Sequence, residues 1–429
     1  MSLELLFKPR SLLFISDTKK RENFLFSPEI CENIRMNLKE FSGRVFFSEV
    51  LETNDKNFPE VDLVVLATLP NESLSIIPHL KTKFLIILSG GFDEEQRKTL
   101  KTFVSSFRIL GPNSVCGIIN TENSLNTTFE KNLELKKGKI SVVSQSGGVG
   151  AALLDHAISQ NIGISKFIWI GDAIDINECE ILRYLIKDKN TKVILLYLET
   201  IKKPREFMEI AKKSHKPIIV LKGAASEEAK ERALTHTDSL STSSELYTAA
   251  FKQSRVIEVE TIRELFACGL LFERYKKRKI KKVAIVSNTG GSSILAADLC
   301  AKLGLELAKF TEKTKGKISE KCTFIKVVNP LDILADADGK RYKEILDIVV
   351  RDKETNAILI IAQLKSCAIK PEELETLKRL KTGKIVVACV PGEEDYKKVK
   401  FFLRDTFPIY SEIDDAVKVL KKAEEYGKG

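Results

Sequence analysis

ISVVSQSGGVGAALL (140–154) and VAIVSNTGGSSILAA (283–297) are the two longest stretches without a charged residue. Each opens on a strand-like apolar run, turns at Gly-Gly and continues as a helix, so each reads as a buried strand feeding a helix. Both carry the pattern V-S-[Q/N]-[S/T]-G-G, with its serines at Ser144 and Ser287. A separation of that size is a whole domain rather than a solenoid repeat. Two related α/β domains in tandem are therefore expected. Both stretches also fall short of the roughly 18 apolar residues that a membrane-crossing helix needs.

Outward from the repeat, short β-rich runs alternate with helical ones along the whole chain, which predicts α/β architecture with parallel sheets. In front lie SLLFIS (11–16), RVFFSEV (44–50), DLVVLAT (62–68), FLIILSGG (84–91) and RILGP (108–112), with helices over 29–41 and 93–107. They predict one doubly wound domain over residues 1–135. The second block, 136–275, adds KFIWIGD (166–172), TKVILLYLE (191–199) and KPIIVLKG (216–223), and closes on helices over 245–254 and 261–275. The basic run Arg274 to Lys282 separates it from a third block, 280–429, with strands KVAIVSN (282–288), AILIIAQ (357–363) and KIVVACV (384–390). Three domains suit a length of 429 residues.

The two Gly-Gly turns are where chemistry is expected. The first amides of a helix are unpaired and carry the positive end of its dipole, so such a turn attracts anions. Ser144, Ser146 and Gly147 are expected donors at the first turn, and Asn288, Thr289 and Gly290 at the second. Ordinary strand–helix turn chemistry explains one such motif equally well; two in one chain favour a shared phosphate.

Of four histidines, His236 stands apart, in the hydroxyl-rich loop ALTHTDSLSTSSE between two helical segments. Loops on a rigid scaffold often carry function, although a lone loop histidine is also compatible with simple solvation. Glu199 ends the apolar strand VILLYLE, on the edge of a parallel sheet where ligands bind. A carboxylate there can hold one nitrogen of a histidine and leave the other as nucleophile; a solvated strand-end Glu is the plainer reading.

Composition narrows the alternatives. Apolar residues make up 43% of the chain, which suits a globular rather than a disordered protein. The net charge of +10 is spread through sequence of alternating sign, so neither a nucleic acid nor a membrane is expected as partner. The N-terminal MSLELLFKPRSLLF lacks the ordered pattern of a signal peptide. Eight cysteines occur with no C-x-x-C and no histidine at ligand spacing, which predicts reduced thiols, a cytoplasmic location and no metal site.

The order VVSQSGGVGAALLD, YLETI, THTDSL, SELYTAAFKQS, SNTGG, NPLDI resembles the α subunit of ADP-forming acyl-CoA synthetases of the acetate–CoA ligase type, relatives of succinyl-CoA synthetase. The likeness extends to GPNSVCGIIN (111–120), LNTTF (125–129) and the closing EIDDAVKVLKKAEEY, and Lys222 and His236 keep the family's spacing of 14. It implies a Rossmann-like CoA-binding domain followed by two flavodoxin-like ligase domains. It also implies that acyl-CoA and phosphate give acyl phosphate and coenzyme A, after which the phosphoryl group passes to His236 and then to ADP. Glu199 matches the glutamate supporting that histidine, and Ser146 and Gly147 match the phosphate-holding helix start. Coenzyme A is expected in the first domain, near Asp17, Thr18, Lys19 and Asn113. ADP/ATP and Mg are expected mainly on a separate ATP-grasp β subunit, in an α2β2 heterotetramer acting on a small carboxylic acid and its CoA thioester.

The chain also departs from that family. Its first-strand loop, ISDTKKREN (15–23), has no Gly; strand 2 ends FSEV where the family has V-N-P; Gly171-Asp172 replaces Gly-Asn. Ala224-Ala225 replaces Gly-Arg, Ala229 replaces Gly, and Thr235-His236-Thr237-Asp238 replaces Ser-His-Thr-Gly. A catalytically degenerate CoA-binding or regulatory protein of the same fold is therefore the alternative. A dinucleotide-dependent dehydrogenase is disfavoured because no G-x-G-x-x-G follows a strand.

Overall fold

The computed structural model describes residues 2–17, 24–50, 57–131, 133–223, 244–275, 279–365 and 368–428. His236, Thr18 and Lys19 lie outside the described residues, as do Lys20, Arg21 and residues 224–243 with their lost glycines. The chain divides into two compact units, residues 1–262 and 263–429. Three largely parallel sheets, wrapped by helices, form the α/β fold that the alternating pattern predicts.

The first unit holds two sheets. One comprises β1 (Ser11–Ser16), β2 (Arg44–Glu49), β3 (Val61–Ala67), β4 (Thr82–Ile87) and β5 (Arg108–Leu110), all parallel, in the order β2-β1-β3-β4-β5. β1 and β3 are buried along their whole length, as uninterrupted apolar runs covered on both faces should be. The intervening helices start where their sequences say. Pro28–Leu38 has Pro at its first position and Ser27 as cap. Asp93 with Gln96 forms a reciprocal capping box for Glu94–Thr102.

The second sheet comprises β6 (Ile118–Asn120), β7 (Leu125–Asn126), β8 (Lys137–Ser144), β9 (Ile164–Trp169), β10 (Val193–Leu198), β11 (Ile218–Lys222) and β12 (Ile257–Val259), in the order β12-β11-β10-β8-β9-β6-β7. Here the domain boundary expected near residue 135 meets a different arrangement. β6 and β7, within GPNSVCGIIN and LNTTF, form an antiparallel hairpin on β9, with Ile118 opposite Ile168 and Asn120 opposite Lys166. Residues assigned to the end of the first domain thus complete the sheet of the second.

The second unit carries β13 (Lys282–Ser287), β14 (Glu306–Leu307), β15 (Leu331–Asp332), β16 (Ala357–Ile361), β17 (Ile385–Cys389) and β18 (Ile409–Tyr410), all parallel. The helix Ile262–Arg274, expected to close the second block, makes contacts within this unit from Arg263 onward. Its Phe272 ring meets Tyr426 edge-on at 5.2 Å, and its Ala267 carbonyl accepts from the buried Tyr410 hydroxyl at 3.0 Å.

Candidate functional site

The strand β8 ends at Ser144, level with Tyr197 of β10. Beyond it the chain must turn sharply, and its polar backbone groups need partners. Ser144 supplies one, its hydroxyl donating to the Ser146 carbonyl at 2.7 Å. Ser146 then caps the helix Gly147–Ser159, its Oγ accepting from the Val149 amide. Ser144 is fully buried and builds the turn, so its hydroxyl is not directed to a ligand as expected. A methyl on Gly148 would meet nothing within 4 Å, so the helix surface at this residue is open.

Gln145 does what the sequence did not disclose. Its Oε1 accepts from the amides of Glu199 (2.6 Å) and Thr200 (3.0 Å), and its Nε2 donates to the Thr200 carbonyl at 2.7 Å. From the other side Lys222, last residue of β11, donates to the Glu199 carbonyl at 2.7 Å. Each such bond contributes on the order of 1 kcal/mol. Together they fix the backbone of Glu199 between three strand ends, on the same rim as the SQSGG turn. The Glu199 carboxylate lies 3.4 Å from the Tyr197 hydroxyl. Burial, with the Glu199 charge adding to it, pushes that phenol up to about 12, so it stays protonated and able to donate. A methyl on Gly223 would fall 2.4 Å from the same hydroxyl, which leaves glycine as the residue that fits.

The repeat reproduces this construction in the second unit. Ser287 donates to the Thr289 carbonyl at 3.0 Å, as Ser144 does to Ser146. The Asn288 side chain donates to the Gln363 carbonyl (2.8 Å) and accepts from its amide (2.9 Å), as Gln145 does with the residues after β10. Because Ser287 is level with Ile361, Gln363 holds the place that Glu199 holds in the first unit. The donors expected from Asn288 and Thr289 are engaged internally: the Asn288 amide with the Tyr342 hydroxyl at 3.1 Å, and the Thr289 amide with Ser287 Oγ at 3.1 Å. Gly290 opens the helix Gly290–Lys302, but the Asp332 carboxylate of NPLDI stands 3.2 Å from where its Cβ would be. The corresponding neighbour of Gly147, at the same 3.2 Å, is a methyl of Val115. At this one contact the first turn has an apolar neighbour and the second a carboxylate.

Asp17 and Asn113 share the C-terminal rim of the first sheet. Asp17 follows β1 and is 2% exposed. Asn113 follows β5, three strands away, so about 14 Å of sheet separates them at the usual strand spacing. Asn113 has φ of 61° and its side chain donates to Asp172 Oδ1 at 3.3 Å, while Arg97 pairs with the other oxygen at 2.9 Å. Asp172 is thereby held between a cation and an amide. Gly171 has a positive φ and is required there. A Cβ on it would lie 2.3 Å from the Pro112 carbonyl.

Gly150, one turn into the first helix, rests on Trp169. A methyl there would fall 2.0 Å from the indole nitrogen, and Trp169 is 1% exposed and stacked on Phe167 at 4.2 Å. Gly150→Ala is expected to destabilise the first unit by about 1–3 kcal/mol through overpacking. A urea melt followed by the fluorescence of the single tryptophan measures it; an unchanged midpoint would mean the helix start shifts without cost.

Residues 137–272 match the family described as succinyl-CoA ligase like flavodoxin domain. The whole chain is 31% identical to the α subunit of acetate–CoA ligase (ADP-forming) I of Pyrococcus furiosus, covering 98% of it. Over 84% of the chain it is 32% identical to the 4-hydroxybutyrate–CoA ligase (ADP-forming) of Nitrosopumilus maritimus, spanning 54% of that protein. In fold it matches the Ca. Korarchaeum cryptofilum dinucleotide forming acetyl-coenzyme A synthetase 1, solved with phosphate and ADP. There the TM-score is 0.89 at 24% identity, over 100% of this chain and 97% of that one.

Proposed function

The chain belongs to the family of ADP-forming acetate–CoA ligase α subunits, and from that premise we propose that it carries the acyl-transfer and phosphohistidine steps of acyl-CoA + phosphate + ADP → carboxylic acid + CoA + ATP. One observation carries the proposal. The rim of the first sheet runs into the SQSGG turn, because Asn113 stands two residues before Val115, which packs against Gly147. A ligand laid along that rim from β1 to β5 delivers its far end to the phosphate-binding turn beside Glu199. A CoA thioester has the length and the two chemically distinct ends that this layout suits.

A phosphate oxygen, held by the Ser146 and Gly147 amides, attacks the thioester carbonyl. The C–S bond breaks, and the proton of the phosphate passes to the departing thiolate. A ring nitrogen of His236 then attacks phosphorus, the bond to the acyl oxygen breaks, and the carboxylate leaves. Glu199 accepts from the other ring N–H, which selects the reactive tautomer and stabilises the charged ring. Transfer to a β-phosphate oxygen of ADP breaks the N–P bond and restores neutral His236. Nucleotide and Mg belong to a separate ATP-grasp β subunit in an α2β2 assembly. The seven described cysteines are buried free thiols, in keeping with the cytoplasmic location we assign.

The second reading, a CoA-binding protein without turnover, is favoured by the missing glycine in residues 15–23 and by Ala224, Ala229 and Asp238. Incubating the chain and its β subunit with acetyl-CoA, phosphate and ADP separates the two. ATP appearing only when all components are present supports the ligase. No ATP, with CoA still bound, supports the second reading.

A further inference from the structure

The ends of β1 and β2 carry a charged pair that the ligase reading does not use. Ser16 and Glu49 are register partners and the last residues of their strands. Arg35, from the helix Pro28–Leu38, reaches up between them. Its Nη2 donates to Ser16 Oγ at 3.1 Å and to Glu49 Oε1 at 3.0 Å, and its guanidinium lies 5.5 Å from the ring centre of Phe47. The pair sits at the rim, the Arg35 side chain 20% and Glu49 32% exposed.

The position has a physical meaning in a doubly wound sheet. With the order β2-β1-β3-β4-β5, the strand order reverses at β1, and a nucleotide lies across the strand ends there. Its ribose falls at the end of the second strand. In dinucleotide sites a carboxylate at that point accepts from the ribose 2′-hydroxyl, whereas an arginine nearby accommodates a 2′-phosphate. This chain has both, bonded to each other. Resting on the CoA reading above, we infer that Arg35 and Glu49 are the specificity pair for the adenosine ribose. Glu49 neutralises the arginine that would otherwise bind the 3′-phosphate of CoA. The phosphate then meets a pair of zero net charge, and the site distinguishes poorly between CoA and 3′-dephospho-CoA.

Calorimetric titration of the full-length chain at low salt, with CoA and with 3′-dephospho-CoA as the two probes, tests this. The wild type should bind both within about threefold of each other, because a rim ion pair contributes only a few tenths to about 1 kcal/mol. Glu49→Gln frees Arg35 and should tighten CoA about fivefold relative to dephospho-CoA, a gain that fades at high salt. Arg35→Met leaves Glu49 facing the phosphate and should shift the ratio about fivefold the other way. Because the readout is a ratio on one protein preparation, a loss of folded protein cancels. A ratio unmoved in both variants overturns the inference while leaving CoA binding intact. If the wild type binds neither probe, the CoA reading itself fails, and the inference with it.

Discussion

His236→Asn is expected to abolish the acid-labile, base-stable phosphoryl label that the chain takes up from acyl-CoA and labelled phosphate. Asparagine keeps the approximate size and one hydrogen bond of the imidazole but offers no nucleophilic nitrogen. A nucleophile's removal is not graded: the covalent intermediate has no other atom on which to form. Labelling should drop below detection, and ATP formation with it. Acyl phosphate formation from acyl-CoA and phosphate, which precedes the histidine, should continue and accumulate. Label retained in the variant would exclude His236 as the carrier. The assignment rests on its position between Thr235 and Thr237 and on its match to the histidine of the family it resembles, including that family's spacing of 14 from Lys222, the residue that ties β11 to Glu199.

Glu199→Gln should slow phosphorylation of His236 roughly 10²-fold, the low end of what a positioned acid–base group contributes. The substitution is well isolated by the structure. Gln145 and Lys222 grip the backbone of residue 199, not its side chain, and the Tyr197 hydroxyl can donate to an amide oxygen as it does to a carboxylate oxygen. Shape and anchoring therefore survive, and what is lost is the charge that, in the proposed role, stabilises the protonated ring and sets its tautomer. CoA affinity, which we propose is set on the rim of the other sheet of this unit, should not move. A phosphorylation rate within twofold of wild type would reject the supporting role.

Much of this could be read from one sequence, and the reason is periodicity. SLLFIS, KVILLYL and VAIVS are short apolar runs that end at turn residues, and they form strands within a residue or two of the expected limits. The hairpin β6–β7 escaped because such short strands carry no period, and their partner β9 lies beyond the intervening β8 and the helix Gly147–Ser159. Likewise the helix Ile262–Arg274 was legible as a helix, but the face it buries against Tyr410 and Tyr426 is a tertiary choice that local sequence does not encode. At the site, the strand-end glutamate and the two helix starts were visible as residue types. That Ser144, Asn288 and Thr289 spend their hydrogen bonds internally depends on partners such as Tyr342, 54 positions from Asn288. The signal that was available and unused lay in the motif itself. Its third position is Gln in one copy and Asn in the other, the two side chains that can both donate to and accept from a backbone.

That amide grip has a consequence for how such a protein can change. Because Gln145 and Asn288 hold only main-chain atoms, the side chain at the gripped position is free to vary without loosening the strand ends. One copy of the duplication displays an acid there, Glu199, and the other a neutral amide, Gln363. A single ancestral framework can thus diverge at this position, from acid to neutral amide or back, by exchanging one residue at a time. Neither exchange costs the fold its anchorage, so the architecture tolerates the very substitutions through which new chemistry is acquired.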